Sequence, residues 1–302
     1  MSGELMGDLD HLQPAVRGWL ELSDEERIYQ LNRDLWIGYP QAARILDRME
    51  ELLAHPRIAR MPNLLIIGKT NNGKTQILRR FQELHAASDN VGGEAISVPV
   101  LYVQAPPVPD EKRLYVDILN TLFAKHSLSD SPSKLFANVK DKFERVGVRM
   151  LIIDELNSLV SGALPKQRQF LTVLKHISNE LRIPLVGAGT EDAVRALQTD
   201  PQLSNRFTPM TLPRWGMDAE FRRLLASWEK ILPLRVSSGL SEKTLAHEIW
   251  ARSEGTIGET VTLLKAATRY AIRSRRERID LHAIEHCLYE APSERKKRLL
   301  EV

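Results

Sequence analysis

One cysteine, Cys287, is the whole thiol complement of this 302-residue chain. A lone thiol forms no internal disulfide, so the fold rests on its core, and the count suits a reducing cytoplasm. No run of 18 apolar residues occurs, so no segment is expected to span a membrane. The N-terminus carries Glu4, Asp8 and Asp10 and no long apolar stretch, and it does not read as a signal peptide. There is no internal repeat and no low-complexity tract. Charge of one sign is scarce too: 42 basic against 39 acidic residues leave +3. That balance does not mark a nucleic-acid binder, so any such surface must come from local clustering.

What is present is a globular balance of 43% hydrophobic and 27% charged residues, with length for two structural units. The most informative stretch is Leu64-Leu65-Ile66-Ile67-Gly68-Lys69-Thr70-Asn71-Asn72-Gly73-Lys74-Thr75-Gln76. Four apolar residues run into Gly-x-x-x-x-Gly-Lys-Thr, and Ile77, Leu78, Phe81 and Leu84 follow at helical spacing. This strand–loop–helix order is the context of a phosphate-binding loop. Loop N–H groups and the positive end of the helix converge on one point, so an anionic phosphate is stabilised there. Gly68 through Gln76 are the expected ATP-binding residues. Lys74 is expected at the β- and γ-phosphates, and the Thr75 hydroxyl on Mg²⁺. Asn71 and Asn72 suit a tight loop because Asn tolerates left-handed backbone angles.

Residues 1–60 read as a mostly helical arm. Ser23-Asp24-Glu25-Glu26 is a capping-box pattern. Pro40 fits the first turn of a helix with Ala42, Ile45, Leu46, Met49, Leu52 and Leu53 on one face. Trp36, Ile37 and Tyr39 suit either an adenine pocket or a docked arm. Residues 61–212 alternate strands (63–67, 100–104, 149–153, 184–188, 208–212) with helical patterns (76–87, 111–126, 132–146, 167–181). That alternation predicts an α/β P-loop fold with a parallel five-stranded sheet. Ala105-Pro106-Pro107-Val108-Pro109 cannot be strand or helix interior, and it falls at the carboxyl edge where such sheets bind ligands. From 213 to 302 the pattern is helical, near 218–231, 241–253, 257–275 and 280–290: a lid domain with a basic tail. Cys287 falls in the last pattern as a small core residue.

Arg149-Met150-Leu151-Ile152-Ile153-Asp154-Glu155 is a strand ending in two carboxylates, about 80 residues after the lysine loop. Side chains alternate along a strand, so the two acids take different tasks. Asp154 suits the Mg²⁺ shell and Glu155 the activation of a water attacking the γ-phosphate. Alternatively, either acid caps the next helix. Leu185-Val186-Gly187-Ala188-Gly189-Thr190 ends a strand in a glycine turn; Thr190 either contacts the γ-phosphate or caps the helix at 191–198. Arg206, in Leu203-Ser204-Asn205-Arg206-Phe207, either reaches the γ-phosphate of a neighbouring subunit or forms a surface ion pair.

In this order the motifs resemble those of an AAA+ ATPase with a C-terminal helical lid. More narrowly, Leu64–Thr75, the 104–109 loop, Ile153-Asp154-Glu155-Leu156-Asn157 and Gly255-Thr256-Ile257-Gly258-Glu259 resemble the TniB/TnsC-type transposition ATPases over residues 35–290. The resemblance implies that Lys74, Asp154, Glu155, Thr190 and Arg206 are catalytic, with Thr190 as sensor 1 and Arg206 as a trans-acting finger. Thr75 and Asp154 would hold Mg²⁺. It also implies ATP hydrolysis in the bacterial cytoplasm, a homo-oligomeric ring or helical filament, and no membrane. The implied partners are double-stranded DNA, a DDE transposase and a TniQ-type target-selection protein. One departure stands out. Many lids carry Gly-x-x-Arg, and here glycine takes that place before Glu259; Thr256 and Glu259 read instead as a capping box.

DNA contact is expected from Lys112 and Arg113 after the proline loop and from Lys166 and Arg168 after Gly162, through phosphates rather than bases. The Arg273–Arg278 and Arg295–Arg298 runs read as solvated faces. The rival readings are a helicase loader or replication initiator, a nucleotide-dependent scaffold with negligible turnover, and a monomeric small-molecule kinase.

Overall fold

The computed structural model describes residues 9–33, 35–89 and 96–301. Glu4 and Asp8 lie outside the described residues. The chain divides into two compact units. One is Pro40–Pro213; the other joins the residues before Pro40 to those from Arg214 onward.

The first unit is built on five parallel strands: β1 (Asn63–Gly68), β2 (Val100–Gln104), β3 (Met150–Asp154), β4 (Leu185–Gly189) and β5 (Phe207–Leu212). Each lies within a residue of its expected bounds. Their order is β2-β3-β4-β1-β5. β1, β3 and β4 are buried along their whole length, which is why they read as unbroken apolar runs rather than alternations. β5 pairs only with β1, and Pro209 sits in it, as a residue without an N–H must sit on an edge strand. Helices Pro40–Ala54, Lys74–Leu84, Glu111–Thr121, Pro132–Val146, Leu164–Leu181 and Glu191–Gln198 complete the unit. Leu65, Leu151, Ile153, Leu185, Tyr115, Phe143, Phe170 and Leu174 lie in its core. The Asn63 side chain accepts from the Leu185 N–H at 2.8 Å and fixes the amino end of β4 beside β1.

The second unit is helical: Asp24–Leu31, Ala219–Glu229, Lys243–Ser253, Ile257–Arg273, Leu281–His286 and Pro292–Leu300. Its core includes Ile28, Leu31, Phe221, Trp228, Leu263, Leu264 and Ile272. The segment expected as one arm over 1–60 is thus divided, since Asp24–Leu31 packs here and Pro40–Ala54 packs with the sheet. Arg27 explains the first half. It is 1% exposed, pairs with Glu277 at 2.6 Å and donates to the Pro233 carbonyl. Trp36, Ile37 and Tyr39 belong to this unit as well, and the Tyr39 ring meets Trp215 edge-on at 5.1 Å. Ile37 and Tyr39 pack on its core, as a docked arm requires.

Two capping boxes were expected here, and one forms. The Ser23 hydroxyl accepts from the Glu26 N–H while the Glu26 carboxylate accepts from the Ser23 N–H at 2.9 Å. Thr256 occupies an N-cap position but its side chain caps nothing. Glu259 instead accepts from Arg295 at 2.5 Å and from the Tyr289 hydroxyl at 3.1 Å. The Thr256 N–H donates to the Ser253 carbonyl at 3.0 Å, and the Glu259 carboxylate takes a charged donor and a phenol in its place. The glycine before it has a different task. Gly255 has φ +64°, and a Cβ there would stand 2.5 Å from the Trp215 carbonyl oxygen.

The last expected helix, near 280–290, ends at His286, and buried Cys287 follows it. A separate helix, Pro292–Leu300, was not foreseen. Arg275 pairs with Asp24 at 3.1 Å and Arg276 with Asp280 at 3.1 Å, in keeping with a solvated face. Among the described residues no helix is long and apolar enough to cross a membrane.

Burial pushes the Glu277 carboxyl up, but the hydrogen bonds and charge of Arg27 outweigh that and hold it below its ordinary 4.5. A depressed carboxylate stabilises the fold above its unfolded value and loses that contribution as pH falls. Glu277→Gln is expected to lower stability by about 3 kcal/mol at neutral pH, because it strands a buried guanidinium. The gap to wild type should close as pH falls below 4.5, read from denaturant midpoints across pH.

Candidate functional site

Parallel strands put every carboxyl end at one edge of the sheet. Gly68, Asp154 and Gly189 end β1, β3 and β4, and β4 lies between the other two. The lysine loop, the acidic pair and Thr190 are therefore neighbours.

The loop after β1 turns through left-handed angles at Asn71 (φ 62°) and Gly73 (φ 86°). Asn72 was expected to do the same, but it is buried and its amide donates to the carbonyls of Leu212 at 2.7 Å and Pro213 at 3.0 Å. It ties the loop to the end of β5. Gly68 allows close approach, since a Cβ there would meet Leu212 Cβ at 3.2 Å. Helix Lys74–Leu84 begins at Gly73 with no side-chain cap, so its first-turn N–H groups are available to an anion. Lys74 folds back over the loop, its Nζ donating to the carbonyls of Gly68 at 2.8 Å and Lys69 at 2.9 Å. Burial pulls its pKa below the ordinary lysine range, against the pull of Glu155 and Asp154.

Asp154 is 1% exposed and its carboxylate is fully engaged. Oδ2 accepts from Thr75 Oγ1 at 2.7 Å and from the Tyr102 hydroxyl at 2.8 Å, and Oδ1 from the Glu155 N–H at 2.8 Å. Thr75 and Asp154 are hard oxygen donors side by side, a pairing that fits Mg²⁺. Glu155 has φ 60° and opens the short helical turn Leu156–Ser161 without capping it through its side chain. Its side chain lines a cleft of about 730 Å³ shared with Arg79, Tyr102, Gln104 and Asn157. Thr190 stands at the N-cap of Glu191–Gln198, yet its hydroxyl makes no capping bond and only a 3.5 Å contact with Asp192.

Tyr102 and Arg79 went unread in the sequence. Burial, then the Asp154 charge, push the Tyr102 phenol above its ordinary range, and the Arg79 guanidinium lies 3.6 Å from its ring centroid. Only strand order brings Tyr102 to Asp154, and no motif encodes it.

Arg206 lies elsewhere. It precedes β5 at the amino edge, where Phe207 is in register with Asn63, and its Nη1 donates to Asn179 Oδ1 at 2.6 Å. At about 3.3 Å per residue, the six residues of β1 separate it from the lysine loop by about 20 Å. Of the cations expected at DNA, Lys112 donates to the Leu128 carbonyl at 2.6 Å, Arg113 pairs with Asp117 at 3.0 Å, and Lys166 and Arg168 are exposed. The loops before these pairs are joined: Ser161 Oγ donates to the Pro107 carbonyl at 2.7 Å, and a Cβ on Gly162 would meet Pro109 at 2.9 Å.

The family model of the bacterial TniB protein matches residues 27–217. This chain belongs to the TniB family. Among solved structures, it is similar to the Aeropyrum pernix ORC2 protein in ADPNP–ADP complexes, with TM-score 0.65 and 17% identity over 90% of this chain and 74% of that one. It is also similar to Cdc6p from Pyrobaculum aerophilum, with TM-score 0.60 and 15% identity over 83% and 67%. The Aeropyrum pernix ORC1 protein in complex with DNA aligns at TM-score 0.55 and 16% identity over 90% and 69%. At these identities the likeness fixes the fold: this TniB-family chain has the P-loop AAA+ arrangement with a helical C-terminal region. No curated protein matches it.

A Thr190 hydroxyl that caps nothing can be removed cheaply. Thr190→Ala is expected to change stability by less than about 0.5 kcal/mol, against about 1 kcal/mol for a working cap. Thermal melting of the two proteins reads the difference.

Proposed function

We propose that this TniB-family protein is an ATPase that assembles on double-stranded DNA with ATP and delivers that DNA to a DDE transposase. The observation that carries the enzymatic part is the contact between Thr75 and Asp154 at 2.7 Å beside an uncapped helix start and buried Lys74. Lys69 through Gln76 would cradle the phosphates, with Lys74 leaving its loop carbonyls for the β- and γ-oxygens. Thr75 and Asp154 would hold Mg²⁺, which when bound neutralises charge on the phosphates. Glu155 would orient a water and take its proton, and Thr190 would hold the γ-phosphate end of the pocket.

Arg206 acts in trans in this reading, because its own pocket is at the other edge of the sheet. A homo-oligomer, ring or filament, would set Arg206 of one copy at the γ-phosphate of the next. ATP then favours assembly and hydrolysis releases it. Family membership supports the transposition setting, and with it a TniQ-type partner. The DNA complex of the ORC1 neighbour lends support to DNA as a ligand of this fold. Lys112, Arg113, Lys166 and Arg168 follow two joined loops, so they would move together on a phosphate backbone.

Three measurements test this. Glu155→Gln is expected to keep ATP binding and lose at least about 100-fold in turnover; unchanged turnover rules out water activation by Glu155. Arg206→Ala and Lys74→Ala are each expected to be inactive, and mixing them should restore turnover, since one supplies an intact pocket and the other an intact arginine. No recovery on mixing, with wild type active, removes the trans role. Electron microscopy with duplex DNA should show rings or filaments with a slowly hydrolysed ATP analogue and not with ADP. A protein that stays monomeric in both overturns the assembly reading.

A further inference from the structure

We infer that Tyr102 is a positioning residue: its hydroxyl fixes the rotation of the Asp154 carboxylate, and so sets how well the site holds a divalent cation. The inference rests on the reading of Thr75 and Asp154 as the Mg²⁺ pair.

A carboxylate swings about its last bond unless both oxygens are tied. Oδ1 of Asp154 has one tie, the N–H of the residue next in the chain. Oδ2 has Thr75 and Tyr102. Thr75 is an exposed residue at the start of a helix and belongs to the phosphate-binding loop. Tyr102 is the rigid member. It lies in β2, in register with Ile152 of the neighbouring strand, and is 8% exposed. Its ring is held on one face by Arg79, which stands one helical turn beyond Thr75 on the same helix. Arg79 donates to Gln82 and, among the described residues, pairs with no carboxylate. The guanidinium thus braces the helix that carries Thr75 against the strand that carries Tyr102. Partners that orient a metal-binding carboxylate tune metal affinity without touching the metal.

Tyr102→Phe keeps the ring, the Arg79 contact and the core, and deletes one hydroxyl. Two readouts are needed. The first is the affinity of a fluorescent ATP analogue in EDTA. The second is the Mg²⁺ concentration that gives half of the rise in melting temperature with a slowly hydrolysed ATP analogue. The expected result is unchanged metal-free affinity and a half-saturating Mg²⁺ concentration raised about ten-fold or more. The Mg²⁺ dependence of hydrolysis should shift by the same factor. An unchanged Mg²⁺ midpoint overturns the inference. So does a variant that melts lower without ligand and loses metal-free and metal-dependent binding together, since that is a folding role. A wild-type protein showing no Mg²⁺-dependent binding of ATP would instead sink the assignment of Thr75 and Asp154, a different failure from either. Arg79→Met, which keeps the hydroxyl but removes the brace, should raise the midpoint by less than Tyr102→Phe does.

Discussion

A single buried carboxylate ties the parts of the candidate site together. Asp154 is 1% exposed, and an ionised group taken out of water needs donors for both oxygens. It gets them from three places: the helix after β1, the middle of β2 and the backbone N–H of Glu155. Strand β4 lies between β1 and β3, so Thr75 reaches Asp154 only across the end of β4. The glycines of β4 keep that end low. A Cβ on Gly187 would stand 2.3 Å from Leu156 Cδ1, and one on Gly189 would stand 2.6 Å from Ala193 Cβ. Leu156, two residues after Asp154, sits in the space they leave.

The lysine loop and the acidic strand end were legible because their information is local. Apolar strand, glycine turn and amphipathic helix are adjacent in the chain, and period and spacing carry them. Tyr102 was not legible for the opposite reason. It sits in an apolar run like any core tyrosine, and only the pairing of β2 with β3 gives its hydroxyl a carboxylate. The two capping patterns make the same point at smaller scale. Ser23 and Glu26 form their box because both are exposed and nothing nearby competes. Glu259, in an equivalent pattern, is 8% exposed, and Arg295 and Tyr289 arrive from more than 29 residues away. A local rule holds until a stronger distant donor is brought within reach.

The N-terminal segment follows the same logic. Its helical pattern was visible, but its allegiance is set far along the chain, by the core that Ile28 and Leu31 join and by one ion pair. Arg27 carries a charge that cannot be buried alone, and Glu277, some 250 residues later, is what it meets. The Leu20 carbonyl accepts from Arg235 and the Arg33 carbonyl from Lys265, adding ties between the same two stretches. A domain boundary drawn from composition places such a segment beside its neighbour in sequence, whereas its core contacts and its ion pair place it with the later helices.

The last constraint concerns distance rather than burial. A parallel sheet has two edges, and this chain puts the phosphate loop at one and Arg206 at the other, about 20 Å apart along β1. An arginine side chain spans a fraction of that. Within one chain Arg206 therefore has no access to a nucleotide at the lysine loop, and Asn179 holds it at 2.6 Å on its own edge. Any role for it in phosphoryl chemistry requires a second copy to bring one sheet's amino edge to another's carboxyl edge. Such a contact is head-to-tail, so it propagates into rings or filaments rather than closing as a twofold dimer. A nucleotide shifts that equilibrium only by the affinity it adds in the assembled form, and a γ-phosphate contacted from two chains is where that added affinity would arise.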